Sequence, residues 1–145
     1  MIKKIIITTA FLLFICAQIF TQQLTIGTYN LRNDNKGDIG NLWAQRAPIV
    51  ANLLRFHQFD IFGIQEGFKN QLDDINSALP EYAHYGKGRD DGNEAGEHSS
   101  IFYRKDKFKL LKKGDFWLSE TQTSQDWDGM QLAVTESAHG SICKT

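Results

Sequence analysis

Two polar residues stand where apolar, strand-like segments end. Asn30 closes the run Leu24-Thr25-Ile26-Gly27-Thr28-Tyr29, and Glu66 follows Asp60-Ile61-Phe62-Gly63-Ile64-Gln65. In α/β sheets the carboxyl ends of strands are the usual ligand side, because strand ends fix side chains that point into a common crevice. A carboxylate beside an amide is a workable environment for Mg²⁺. That ion keeps several waters, takes one or two carboxylates, and lets a substrate phosphate complete its shell. The plainer alternative needs no ligand: Asn30 would cap a turn, and Glu66 would cap the N-terminus of the next helix. Periodicity alone leaves both open.

The elements that must position these residues follow from the hydrophobic pattern. Leu24 to Tyr29 alternates apolar with small or polar residues and reads as a strand. Asn33-Asp34-Asn35-Lys36-Gly37-Asp38 is a turn-rich loop. Trp43, Ala47, Val50, Leu53 and Leu54 fall on one face of a helix running to Phe56. Pro48 inside it requires a start several residues earlier, where backbone N–H groups lack partners. Asp60 to Gln65 is nearly continuous in apolar character and predicts a strand buried on both faces. Phe68, Leu72, Ile75 and Leu79 repeat at helical spacing up to Pro80. A brief strand at Tyr82–Tyr85 precedes Gly86 to Gly96, whose glycines and polar residues predict a mobile loop. Ser100 to Tyr103 and Phe108 to Leu118 then form two strands across a Lys-Asp-Lys turn. This alternation is an α/β pattern, a sheet covered by helices.

The local words narrow the reading. Thr28-Tyr29-Asn30-Leu31-Arg32, Trp43-x-x-Arg46, and Asp60-Ile61-Phe62-Gly63-Ile64-Gln65-Glu66 occur in order, followed by Glu97-His98-Ser99-Ser100-Ile101-Phe102-Tyr103-Arg104. Together they resemble the opening motifs of the endonuclease/exonuclease/phosphatase family, over about Leu24 to Ser119. The resemblance implies the N-terminal half of a four-layer α/β sandwich, two packed mixed β-sheets flanked by helices, truncated. It also implies a metal-dependent hydrolase of phosphate esters, with Mg²⁺ as cofactor and Mn²⁺ as a substitute. Glu66 would be the principal metal ligand, with Asn30 beside it on the metal or the phosphate. Glu97 would orient a catalytic histidine. Arg32 is a weaker candidate for binding an anionic substrate, and Arg46 is expected to pair locally on its helix. His57, His84 and His98 match no catalytic position of the family and read as surface or loop residues.

The family pattern continues with a strand-borne Asp-x-Asn, a later Asp and a terminal Ser/Thr-Asp-His, and none of these follows here. The 145-residue chain is therefore expected to be inactive as it stands. Back-translation of Gly129 to Gly140, read two bases later, can restore the family's Arg-Ile-Cys-Thr-Trp. Residues 129–145 thus read as an aberrant, frame-shifted tail, with His139 and Cys143 as artefacts of frame. The partial domain is expected over 24–128.

Lys3 and Lys4 followed by the uncharged run Ile5 to Ala17 read as a signal peptide, residues 1–23, so the protein is expected to be exported to the periplasm or outside the cell. No stable membrane span is expected after cleavage, and Cys143 would be the only mature cysteine, too few for an internal disulfide. A formal net charge of −1 gives no global attraction to nucleic acid, which stays among the candidate partners without support from charge. The competing class is a secreted, non-catalytic α/β binding module that holds a ligand with the Gly86 to Gly96 loop.

Overall fold

A computed structural model describes residues 23–118 and 130–137, with side chains described through residue 115. The expected signal segment lies outside the described residues except for Gln23, and His139 and Cys143 lie outside them too. The described chain runs β1 (Ile26–Asn30), α1 (Trp43–His57), β2 (Ile61–Gly67), α2 (Lys69–Ala78), β3 (Tyr82–Tyr85), β4 (His98–Arg104), β5 (Leu110–Leu118) and β6 (Met130–Ser137). One mixed sheet has the order β1-β2-β4-β3, and β5 pairs with β6 in a second, two-stranded sheet. β1 and β2 are parallel, as an α-helical crossover requires, while β2/β4 and β3/β4 are antiparallel. This is the mixed α/β architecture expected. Of the tail expected over 129–145, Met130–Ser137 is the strand β6, antiparallel to β5.

Both helices pack on one face of the sheet. α1 buries Trp43, Val50, Ala51 and Leu54, and α2 buries Gln71, Leu72 and Ile75. They close over Phe62, Ile64, Tyr82 and Phe102, with the Phe62 and Phe102 rings stacked 4.9 Å apart. Leu53, expected on the inner face, sits at its margin and is exposed. Pro48 lies within α1 rather than in its first turn, so the carbonyl of Ala44, four residues back, loses its intrahelical partner. Ala44 is exposed, where water can take the place of that partner.

The strand β2 is not buried on both faces. Phe62 and Ile64 point into the helical layer, whereas Ile61, Gly63 and Gln65 on the opposite face are only half-buried. Ile26, which pairs with Ile61 on that face, is 64% exposed. The continuous apolar run reflects residue type on both faces, and among the described residues only one face is covered by helices. Part of the other face meets the second sheet. The Tyr85 hydroxyl donates to Asp115 of β5, and the Lys113 ammonium lies 5.2 Å from the Tyr85 ring centre. Burial, then the bond to Asp115, pushes the Tyr85 phenol up to about 12.

The end of the sheet away from Asn30 is pinned by Asp60, which is 2% exposed. It accepts the Thr25 backbone N–H at 2.9 Å and a bond from the Lys107 ammonium. Burial alone would raise this carboxyl, but the Lys107 and Thr25 bonds outweigh it and hold the group below the usual carboxylate range.

Candidate functional site

Strand direction brings the sequence candidates to one edge. Asn30 and Gln65, the residue before Glu66, are register partners at the carboxyl ends of the parallel pair β1/β2. Because β4 runs antiparallel to β2, it begins at that same edge, where His98 pairs with Gly67 and Glu97 immediately precedes it. β3 finishes there as well and leads into the segment Gly86 to Gly96.

At the centre of the edge, Asn30 Nδ2 donates to Glu66 Oε1 at 2.8 Å. The Asn30 Oδ1 accepts the Arg32 backbone N–H at 2.7 Å, so the amide orientation follows from its partners. The turn-capping alternative for Asn30 therefore holds alongside its contact with Glu66. The helix-capping alternative for Glu66 does not. The residue before α2 is Phe68, and its N–H is satisfied by Gln71 Oε1 at 3.0 Å.

Glu66 has φ 60°, in the left-handed region, next to a register shift between Ile64 and Gly67. For a residue with a long side chain this conformation costs on the order of 1 kcal/mol. The bulge turns the carboxylate out of the alternation of β2, which is how bulges re-aim side chains at sites.

The loop after β1 is held by groups from both helices. Arg46 donates from Nη1 to the Leu31 carbonyl at 2.6 Å, from Nη2 to that of Arg32 at 3.0 Å, and from Nε to that of Asn41 at 2.7 Å. Gln71 Nε2 reaches the same Arg32 carbonyl at 3.1 Å. This corrects the expectation that Arg46 pairs on its own helix. A guanidinium has five donors in a planar fork and satisfies loop carbonyls that no ladder covers. Its Cζ also lies over the Trp43 ring, 5.4 Å from the ring centre, and the Trp43 indole N–H donates to Asp74. Arg32 itself is at φ 54° and forms an ion pair with Asp38 at 2.9 Å, its side chain 62% exposed.

Glu97 is engaged through both oxygens. Its Oε1 accepts from Asn33 Nδ2 at 2.8 Å, and its Oε2 pairs with Arg89 Nη1 at 3.1 Å. It thus reaches the turn-rich loop after β1 through Asn33, which no motif in the sequence singles out. The glycine-rich segment, expected as a loop, folds back on itself. Gly88 N bonds Asn93 O, Arg89 N bonds Glu97 O, and Asp91 Oδ1 accepts the N–H groups of Asn93 and Ala95. Gly96 takes φ 81°, and a Cβ there would lie 2.3 Å from the Asp90 carboxyl carbon.

Two histidines also depart from expectation. His57 is exposed at the end of α1, as expected. His98 is instead 2% exposed on β4, and His84 is half-buried on β3, stacked 4.7 Å from Phe102. Alternation along each strand puts both on the helix-covered face. Burial holds the His84 imidazole below its ordinary pKa.

The donor set suits a hard cation. Glu66 has one oxygen bonded to Asn30, and its other oxygen takes no hydrogen bond from the described residues. Among the described residues no group of three or more His, Cys, Asp or Glu side chains gathers to hold a metal. One carboxylate with an oxygen left free by the described residues is a donor that a hard cation such as Mg²⁺ or Mn²⁺ could use, with water and phosphate completing its shell. No helix among the described residues is long and apolar enough to cross a membrane.

No protein-family model matches the sequence. No curated protein matches it either. Solved structures do. A mannosyl-6-phosphatase from Bacteroides thetaiotaomicron is 55% identical with a TM-score of 0.69, over 73% of this chain and 41% of that one. A second protein from that organism, named as an endonuclease/exonuclease/phosphatase family protein, is 47% identical with a TM-score of 0.71, over 79% of this chain and 47% of that one. A Bacteroides vulgatus protein named as an endonuclease/exonuclease/phosphatase is 45% identical with a TM-score of 0.66, over 68% of this chain and 38% of that one. The chain belongs to the endonuclease/exonuclease/phosphatase family, and it spans less than half the length of these solved relatives.

Proposed function

We propose that this chain supplies the metal-holding part of a phosphate-ester hydrolase site, with Glu66 as the divalent-cation ligand. The observation that carries the reading is the Asn30–Glu66 pair at the carboxyl edge of β1/β2, with Glu66 turned outward at a left-handed backbone position. A bound Mg²⁺ would polarise a phosphoryl oxygen and offset charge that develops on it. Asn30 orients Glu66. Its Oδ1 accepts the Arg32 N–H and keeps a second lone pair for the metal shell or the phosphate. Glu97, held by Asn33 and Arg89, is a preset acceptor for a group supplied from elsewhere in a complete site. Arg32, at the rim and paired with Asp38, is the first candidate for an anionic substrate.

The substrate class proposed is a phosphate ester, with sugar phosphomonoesters the first to assay. The support is the 55% identity to a protein named as a mannosyl-6-phosphatase. The charged start and apolar run of residues 1–23 support action after export.

The test is a chimera in which residues 24–104 of this chain replace the matching segment of the Bacteroides thetaiotaomicron mannosyl-6-phosphatase. Release of phosphate from a mannoside 6-phosphate should be Mg²⁺-dependent, and Glu66→Gln should lower it by about a thousandfold, on the scale of losing one preorganised electrostatic group. The 145-residue chain alone should release phosphate at negligible rate. A folded chimera that works equally well with Glu66→Gln would overturn the metal role and favour the binding-module reading.

A further inference from the structure

We propose that His98 is a positioning residue, tying together the two backbone segments that carry Glu66 and Glu97. The proposal rests on the reading of those carboxylates as site residues. His98 Nδ1 lies 3.2 Å from the carbonyl oxygen of Gly67 and 3.1 Å from that of Gly96. Gly67 follows Glu66 in the chain, and Gly96 precedes Glu97. Both partners are acceptors only, so Nδ1 is the nitrogen that carries hydrogen, and its single N–H is shared between them. The ring is 2% exposed, which shields the shared bond from competing water.

The place of this bond in the sheet gives it consequence. The β2/β4 register shifts between Ile64 and Gly67, where Glu66 takes its left-handed conformation. Regular ladder bonds lapse across that bulge. The His98 side chain supplies a tie at the point where the backbone pairing resumes. On the far side, the Gly96 carbonyl belongs to the residue at φ 81° that turns the chain into β4. Gly67 has no slack either, since a Cβ there would meet Leu31 and Leu72 side chains at 3.1 Å. One imidazole therefore ties two close backbone approaches, each one residue from a candidate carboxylate. Outer partners of this kind commonly carry tenfold or greater effects on metal affinity.

The experiment compares the full chain with His98→Asn, His98→Gln and His98→Phe. An Asn side chain can present an amide N–H near the Nδ1 position, a Gln presents it near Nε2, and Phe fills the volume with no donor. The ¹⁵N shifts of the wild-type ring should show Nδ1 protonated. Hydrogen exchange should quicken by about tenfold or more in His98→Phe and His98→Gln at two amides. These are Leu31 N–H, bonded to the Gln65 carbonyl, and Arg89 N–H, bonded to the Glu97 carbonyl. The Lys105 N–H, bonded to the Glu81 carbonyl, should keep its rate, which separates a local from a general loss of stability. His98→Asn should restore both amides. Mn²⁺ titration followed by electron paramagnetic resonance should show the midpoint rising about tenfold in His98→Phe and recovering in His98→Asn. A bare Nδ1, or unchanged exchange at Leu31 and Arg89 in both donor-lacking variants, overturns the proposal. If the wild-type chain shows no Mn²⁺ site, the metal role of Glu66 fails, and the exchange pattern alone decides the role of His98.

Discussion

The Asn30 amide serves two partners at once, donating to Glu66 Oε1 at 2.8 Å while accepting the Arg32 N–H at 2.7 Å. One side chain therefore fixes both the candidate ligand and the start of the loop beside it. Asn30→Ala should lower stability by about 1 kcal/mol in urea denaturation, the net worth of such bonds at an exposed site. Asn30→Asp keeps the turn acceptor but sets two carboxylates face to face. Its loss should be reversed by millimolar Mg²⁺, and that of Asn30→Ala should not. Equal recovery of both variants would contradict the orienting role.

Strain at Glu66 predicts a trade between stability and function. Glycine adopts φ 60° without a Cβ penalty, so Glu66→Gly should be more stable than Glu66→Ala by about 1 kcal/mol, both variants having lost the Asn30 bond and the response to divalent cations. Glu66→Ala keeps the strain and loses the cation response without that gain. Thermal melts with and without Mg²⁺ check both. A Glu66→Gly variant no more stable than Glu66→Ala would mean that the backbone there is not strained.

Arg46 should behave as a structural clamp on the loop after β1. Arg46→Ala removes donors from the carbonyls of Leu31, Arg32 and Asn41, and should cost about 2–3 kcal/mol of stability. Arg46→Lys retains the charge and the stem but not the fork, so most of the loss should remain. If Arg46→Lys proves as stable as the wild type, charge rather than planar hydrogen bonding holds the loop.

Two buried or half-buried groups among the described residues, His84 and Asp60, shape the acid side of the stability profile. His84 is depressed by burial, so the unfolded chain takes up its proton first as the pH falls below ~6.5. Stability should begin to drop there, and the loss is complete below the folded value. Asp60 is depressed by its bonds to Lys107 and Thr25 against the effect of burial. Its contribution is present above ~3.9 and disappears as the pH falls through the lower folded value. His84→Phe should flatten the profile between pH 7 and 5 and leave the steeper fall below pH 4, as read by urea midpoints. A profile unchanged by His84→Phe would contradict the assignment.

Much of this arrangement is legible in the sequence, because it rests on local periodicity and chain order. The two helices and the strand ends at Asn30 and Glu66 follow from spacing and from the order of the motifs, whereas β4 begins at His98, two residues before the Ser100 that the pattern marks. What escapes is contact made across long separations. Asn33 meets Glu97 across 64 positions, and Gln71 meets Arg32 across 39, with no periodic signature to announce either. His98 escapes for another reason. As a polar residue beside a glycine-rich loop it reads as surface, and only its alternation with Ser100 and Phe102 on the covered face of β4 marks it as interior. The second face of β2 is apolar in type as well, and among the described residues it is covered only in part.

The most direct test of the account is a Mn²⁺ titration of the 145-residue chain and its Glu66→Gln variant, followed by electron paramagnetic resonance. The account predicts one weak site in the wild-type chain whose midpoint rises about tenfold or more on losing the carboxylate charge. Superimposable curves for the two proteins, or no site in either, would contradict the assignment of Glu66 as the cation ligand.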